Sequence, residues 1–211
     1  MKKTLLPLLA LALATLLPPV AAMAAPIRIL ALGDSLTAGY GLGPDDGFTS
    51  QLERALKAAG LDVTVINAGV SGDTAEGGLA RLDWALGGGA DAAIVELGAN
   101  DMLRGMDPAN TRKALDAILA KLAEKKIPVL LAGMRAAPNL GADYVARFDG
   151  LYPDLAAKYG TMLYPFFLDG VAAERGLLQA DGLHPNTKGV ALIVERMLPS
   201  VERLVGEAKS R

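Results

Sequence analysis

Apolar runs of strand length alternate with amphipathic stretches of helix length along most of the chain. Short apolar or β-branched runs predict five strands, at 27–32, 62–70, 91–98, 127–133 and 161–166. Apolar residues at helical spacing predict helices at 48–60, 74–86, 108–126, 142–158 and 185–205. The clearest of these helices is 108–126, which places Leu115, Ile118, Leu119 and Leu122 on one face.

This alternation predicts a three-layer α/β/α fold, in which helices cover both faces of a parallel sheet. The strands are continuous apolar runs and do not alternate with polar residues, as expected for strands buried on both sides. In open sheets of this kind, ligands bind beyond the carboxyl ends of the strands. Candidate chemistry is therefore expected in the segments that directly follow the strands.

The first 24 residues have the pattern of a secretory signal peptide. Lys2 and Lys3 precede a short apolar core, and a small-x-small motif ends at Ala24. We predict that cleavage occurs after Ala24, or alternatively after Ala22, and that 25–211 forms a single domain exported to the periplasm. The alternative is an uncleaved membrane anchor, which the short, proline-interrupted apolar core disfavours.

Composition narrows the classes of function. Loss of Lys2 and Lys3 with the signal changes the formal net charge from −2 to −4, which argues against nucleic-acid binding. No later stretch approaches the length of a membrane span, so no integral membrane segment is expected in the mature chain. The chain has no cysteine and one histidine. A zinc site would then need mostly carboxylate ligands, which is unusual, and neither a metal nor another cofactor is expected.

The single histidine is the sharpest chemical signal. Asp181 precedes His184 by three residues, so within one turn its carboxylate can reach Nδ1 and leave Nε2 as a general base. Such a pair needs a hydroxyl nucleophile, because the chain has no thiol, and Ser35 supplies one directly after the first predicted strand. The predicted catalytic residues are Ser35, Asp181 and His184.

Attack by a serine creates an oxyanion, which needs preorganised hydrogen-bond donors. Three are predicted at strand ends: the backbone N–H groups of Ser35 and Gly72, and the side-chain amide of Asn100. Taken singly, these residues also fit helix caps, turns or local hydrogen bonds. Their joint occurrence at strand ends favours catalysis. The neighbouring Asp34, Asp73 and Asp101 are interpreted as residues that organise the loops.

Four motifs resemble the conserved blocks of the SGNH, or GDSL, hydrolases. They are "GDSL" with Ser35, "NAGVSGDT" with Gly72, "GAND" with Asn100 and "DGLHP" with His184. The longer stretches "GDSLTAGYG" and "VELGANDMLRG" resemble the branch of arylesterases and thioesterase I/lysophospholipase L1. The resemblance implies a flavodoxin-like sheet of five parallel strands in the order 2-1-3-4-5. It also implies the same three catalytic residues and the same oxyanion hole.

For function, the resemblance implies a serine esterase that hydrolyses aryl esters, acyl thioesters and lysophospholipids. Small-molecule esters or thioesters are the expected partners, and the protein is expected to be a monomer. A carbohydrate O-deacetylase or O-acyltransferase on the same fold is the alternative within catalysis. A nucleotide- or flavin-binding module is disfavoured, since no Gly-x-Gly-x-x-Gly follows the first strand. An inactive binding protein is disfavoured by the intact Ser35, Asp181 and His184.

Two loop features bear on the substrate. Ala136 and Ala137 are small residues in the loop after the fourth predicted strand, where they leave room for a longer or bulkier acyl group. Glycines at 39, 41, 43, 77 and 78 suggest mobile loops near the site, although turns are the commoner reason for such glycines.

Overall fold

The strands of the computed structural model lie close to their predicted positions. The structure describes residues 25–210, so the predicted signal peptide at 1–24 lies outside the described residues. The strands are β1 (Ile27–Gly33), β2 (Val63–Gly69), β3 (Ala92–Glu96), β4 (Val129–Ala132) and β5 (Met162–Tyr164). Each begins and ends within two residues of the predicted run.

All five strands are parallel and form one sheet in the order β2-β1-β3-β4-β5. Gly33, the last residue of β1, is in register with Gly69 on one side and with Glu96 on the other. The carboxyl ends of the three neighbouring strands therefore lie side by side, and the segments that follow them meet. The predicted fold class and strand order are confirmed.

The long helices are α2 (Phe48–Ala58), α3 (Ala75–Leu86), α5 (Pro108–Glu124), α6 (Ala142–Tyr159) and α7 (Thr187–Lys209). Helices α2 and α7 pack together on one face of the sheet, while α5 packs between α3 and α6 on the other. The predicted apolar face of α5 is buried, as amphipathic packing on a sheet requires. No helix within residues 25–210 has both the length and the apolar composition needed to cross a bilayer.

Two short helices were not predicted from the sequence. They are α1 (Ser35–Ala38) and α4 (Ala99–Leu103), which directly follow β1 and β3. A helix of four or five residues is too short to show a repeating apolar face, so the periodicity that predicts long helices is absent. Helix α7 also continues four residues beyond its predicted end.

The glycines at 77 and 78 lie within α3, in agreement with the helix predicted at 74–86, so the suggestion that they mark a mobile loop is wrong. A Cβ atom at Gly78 would come within 2.4 Å of Leu97 Cδ1. The absence of a side chain at Gly78 lets α3 approach the end of β3 closely, so close packing explains this residue.

Candidate active site

Ser35 is the first residue of α1, immediately beyond the carboxyl end of β1. Asp34 caps this helix by accepting a hydrogen bond from the Leu36 N–H at 3.0 Å. The chain thus turns sharply from strand to helix at the serine, and Ser35 remains 9% exposed although Asp34 is fully buried.

The structure brings the three predicted catalytic residues together. His184 Nε2 lies 2.9 Å from Ser35 Oγ, and His184 Nδ1 lies 2.6 Å from Asp181 Oδ2. Asp181 Oδ1 also accepts the backbone N–H groups of Leu183 and His184 at 2.9 and 3.0 Å. These backbone hydrogen bonds, followed by the contact with the imidazole, lower the pKa of Asp181 to about 2. An ionised Asp181 favours the tautomer with its proton on Nδ1, which leaves Nε2 able to accept the serine proton.

The predicted oxyanion donors follow β1, β2 and β3, whose carboxyl ends lie side by side. Gly72 lies in the turn after β2, and this turn is tied to β1 because Val70 N–H donates to the Gly33 carbonyl at 3.1 Å. Gly72 has a φ of +86°, a backbone conformation that favours glycine. Within residues 25–210, the N–H groups of Ser35 and Gly72 donate to no protein acceptor, so both remain available to a ligand.

Asn100 lies in the first turn of α4, after β3. Its Nδ2 donates to Asp34 Oδ2 at 3.0 Å. One amide hydrogen is used in this contact, and the second remains for another acceptor. Ser35, Asn100 and His184 all line one cavity.

A buried glutamate lies beneath this turn. Glu96 is fully buried at the end of β3, where its Oε2 accepts a hydrogen bond from Thr37 Oγ1 at 2.7 Å. Its Oε1 has no protein partner within residues 25–210. Burial raises the pKa of Glu96 well above its ordinary value, and the nearby Asp34 carboxylate raises it further. Burial likewise raises the pKa of Asp34 to about 6, against the opposing hydrogen bonds from Leu36 and Asn100.

Sequence reasoning missed Glu96 because it ends a run of apolar strand residues and belongs to no recognised catalytic pattern. Tyr40 was also missed. Its ring packs against His184, with 4.6 Å between the ring centroids, and no local pattern signals a contact between residues so far apart in the chain.

The aspartates interpreted as loop-organising do hold loops in place. Asp101 accepts hydrogen bonds from Ala75 N–H and Thr111 Oγ1, both at 2.9 Å. Asp73 pairs with Arg81 at 2.5 Å. The Arg81 guanidinium also donates to the carbonyls of Ala68 and Gly33, so it joins the ends of β1 and β2.

An apolar cavity of about 710 Å³ opens beside Ser35 and His184. This volume lies within the range of small-molecule sites. Its apolar wall includes Leu36, Met102, Ala136, Ala137, Phe166 and Leu178. Ala136 and Ala137 therefore line the space beside the serine, where the sequence placed them. Within residues 25–210, no group of three or more His, Asp or Glu side chains is arranged to hold a metal ion.

Comparison with known proteins identifies the family. The model of the GDSL-like lipase/acylhydrolase family matches residues 31–192. The arylesterase of Vibrio mimicus is 39% identical over 176 residues, covering 83% of this chain and 88% of that protein. The thioesterase 1/protease 1/lysophospholipase L1 of Escherichia coli K12 is 36% identical over 183 residues, covering 86% of each chain.

A solved structure is similar as well. The crystal structure of AlinE4, an SGNH-hydrolase family esterase, matches with a TM-score of 0.74 and 48% identity, covering 86% of this chain and 98% of AlinE4. The family resemblance expected from the four motifs is confirmed. The chain belongs to the GDSL-like lipase/acylhydrolase family and is an ester-hydrolysing serine hydrolase.

Proposed function

We propose that Ser35 is the nucleophile, that His184 is the general base and that Asp181 orients the imidazole. The observation that carries this proposal is the continuous contact from Asp181 Oδ2 through the imidazole to Ser35 Oγ, at 2.6 and 2.9 Å. A serine hydroxyl is a weak nucleophile until a base accepts its proton, and this geometry supplies the base.

The reaction proceeds in two steps. Ser35 Oγ attacks the acyl carbonyl carbon while its proton moves to His184 Nε2, and the charge of the resulting imidazolium is stabilised by Asp181. The oxyanion receives hydrogen bonds from the N–H groups of Ser35 and Gly72 and from the free amide hydrogen of Asn100. Collapse breaks the bond to the leaving group, which takes the proton from His184. His184 then activates a water molecule that hydrolyses the acyl-serine and releases the acid.

The proposed substrates are small acyl esters: aryl esters, acyl thioesters and lysophospholipids. Activities of these classes appear in the names of the arylesterase and the thioesterase/lysophospholipase relatives. The apolar cavity beside Ser35 suits an alkyl chain better than a hydroxyl-rich sugar, which favours these substrates over the carbohydrate O-deacetylase or O-acyltransferase alternative. Leu103 and Leu183 line the cavity and are 57% and 52% exposed, so its apolar surface continues to the solvent.

We further propose that the enzyme acts as a monomer in the periplasm after cleavage of the predicted signal peptide. Fractionation of expressing cells tests the location. Activity in the periplasmic fraction, with a mature amino terminus following Ala24 or Ala22, is the expected result.

The function is tested with purified mature protein, its Ser35→Ala variant and Ser50→Ala as a matched serine control. Each is assayed on p-nitrophenyl esters, phenyl acetate, acyl-CoA thioesters, a lysophospholipid and an acetylated sugar. A fluorophosphonate probe reports the reactive serine directly. The wild type and Ser50→Ala are expected to react with the probe and to hydrolyse the first four substrate classes. Equal probe labelling of the wild type and Ser35→Ala would refute the assigned nucleophile.

A further inference from the structure

The segment that carries Asp181 and His184 lies outside every helix and strand. It is folded on itself: Gln179 N–H donates to the His184 carbonyl at 2.8 Å, and Gly182 N–H donates to the Gln179 carbonyl at 3.0 Å. These hydrogen bonds fix the shape of the segment. They do not fix its position relative to Ser35, which lies on a different part of the sheet edge.

The side chain of Gln179 makes contacts that do fix the position of this segment relative to the Ser35 loop. Its Nε2 donates to the Tyr40 carbonyl at 2.7 Å and to the Pro185 carbonyl at 3.0 Å. One amide group therefore joins the residue that follows His184 to the loop that follows α1.

Tyr40 is itself tied to the nucleophile. Its N–H donates to the Ser35 carbonyl at 3.0 Å, while its ring packs against His184. A hydrogen-bonded route thus runs from Ser35 through the backbone of Tyr40 to Gln179, and from there to His184. This route is separate from the contact between His184 Nε2 and Ser35 Oγ.

The backbone at Gly41 leaves room for the side chain of Gln179. Gly41 has a φ of +75°, and a Cβ atom there would come within 2.2 Å of Gln179 Oε1. A larger residue at 41 would collide with the amide that spans the two loops, so the loop after α1 and the glutamine are mutually adapted.

We propose that Gln179 is a positioning residue, whose amide holds the His184 segment in register with the Ser35 loop. This inference rests on the proposed roles of Ser35 and His184. Gln179 does not touch the reacting atoms. It acts by keeping Nε2 within hydrogen-bond distance of Oγ, and a misplacement of about 1 Å caused by a change away from the chemistry can cost roughly 100-fold in rate.

The test compares Gln179→Met and Gln179→Glu with a matched control, Gln51→Met. Methionine keeps the length of the side chain without its donors, and a glutamate carboxylate faces two carbonyl oxygens with no N–H. Gln51 makes the same type of bridge elsewhere, because its Nε2 donates to the carbonyls of Asp46 and Thr187 at 2.7 and 3.1 Å. We expect Gln179→Met to lower kcat by about 10- to 100-fold with little change in KM. Gln179→Glu should lose more, whereas Gln51→Met should keep the wild-type kcat.

The chain has one histidine, so the imidazole NMR signals report the position of His184 directly. A loss of stability alone would leave these signals unchanged in the folded protein. In NMR spectra of protein with 15N-labelled histidine, every imidazole signal belongs to His184. We expect a sharp, downfield Nδ1 proton in the wild type and Gln51→Met, and a broadened or shifted one in both Gln179 variants. Wild-type kcat and an unchanged imidazole signal in Gln179→Met would overturn the inference, as would equal losses of kcat in Gln179→Met and Gln51→Met. Failure of the proposed function is a separate result: wild type and Ser35→Ala would then have equal activity.

Discussion

Asn100 and Asp34 are joined by a hydrogen bond of 3.0 Å from the amide Nδ2 to the carboxylate Oδ2. The bond connects the first turn of α4 to the residue that directly precedes Ser35, the proposed nucleophile. Because Asp34 takes one amide hydrogen, the amide has a defined orientation, and its other hydrogen is left for an acceptor in the cavity. A donor that is already oriented requires no reorganisation as charge develops on the substrate.

The first prediction concerns this amide. Asn100→Ala should lower kcat by roughly 10²- to 10³-fold with a smaller effect on KM, because an oxyanion donor acts mainly in the transition state. Steady-state kinetics on a p-nitrophenyl ester measures both constants. Asn110→Ala, an exposed change on α5, is the control and should leave kcat unchanged. A loss confined to KM would contradict the assigned role.

The second prediction concerns Asp181, the residue proposed to orient the imidazole. In Asp181→Asn, the side-chain oxygen can still accept the two backbone N–H groups, but its amide faces Nδ1 as a donor. This favours the tautomer with the proton on Nε2, which cannot accept the serine proton, and kcat should fall by about 10⁴-fold. Asp45→Asn, an exposed change in another loop, should have no effect.

The low pKa of Asp181, about 2, also predicts the acid side of the pH profile. The folded-state pKa lies below the ordinary value of 3.8, so the contribution of the charged carboxylate is complete above pH 4 and is lost only as the pH falls towards 2. The Asp181 carboxylate should therefore add no titration step to kcat/KM between pH 4 and neutrality. A midpoint of Asp181 protonation above pH 4, measured by NMR of its carboxyl carbon, would contradict this prediction.

The fourth prediction concerns stability. The pKa of Glu96 in the folded protein is raised well above its ordinary value of 4.5, so the native state keeps a proton that the unfolded chain releases as the pH rises above 4.5. The free energy of unfolding then falls with pH, by at most about 1.4 kcal/mol per pH unit for one proton. Glu96→Gln removes this titration.

Thermal unfolding between pH 4.5 and 8 tests this prediction. The Tm of Glu96→Gln minus that of the wild type should increase steadily as the pH rises. The new amide nitrogen also lacks a partner, but that cost does not vary with pH. Glu124→Gln, at an exposed position on α5, should give a constant difference from the wild type. A constant difference for Glu96→Gln as well would show that Glu96 does not hold a proton on folding.

The sheet and the long helices were predictable because each repeats a simple pattern over many residues. Four buried leucine and isoleucine positions on α5 identify that helix, and continuous apolar runs identify the strands. The candidate site was predictable for a related reason, since parallel strands bring their carboxyl ends to one edge. The strand order itself came from the family resemblance, because alternation alone does not determine which strands are neighbours.

The supporting contacts were not predictable, because they depend on residues that meet only after folding. Gln179 and Tyr40 are separated by 139 positions, and neither belongs to a periodic pattern. For Glu96, the apolar strand around it predicts that the position is buried, but nothing in the strand predicts that a carboxylate would be buried there. The contacts of these residues can be recognised only in the folded structure, where the segments after the strands lie side by side.

The last prediction concerns acyl-chain preference. Ala136 is 7% exposed and lines the cavity beside Ser35, so the added side chain of Ala136→Leu projects into the space proposed for the acyl chain. Activity on octanoyl esters should fall by about 10-fold or more relative to acetyl esters, because each methylene group of the acyl chain that is displaced from the apolar cavity loses about 0.8 kcal/mol. The ratio of kcat/KM for the two p-nitrophenyl esters measures the effect without dependence on enzyme concentration. Ala58→Leu, an exposed change at the end of α2, should keep the wild-type ratio. An unchanged ratio in Ala136→Leu would place the acyl chain elsewhere, because a chain that occupies this cavity must meet the new side chain.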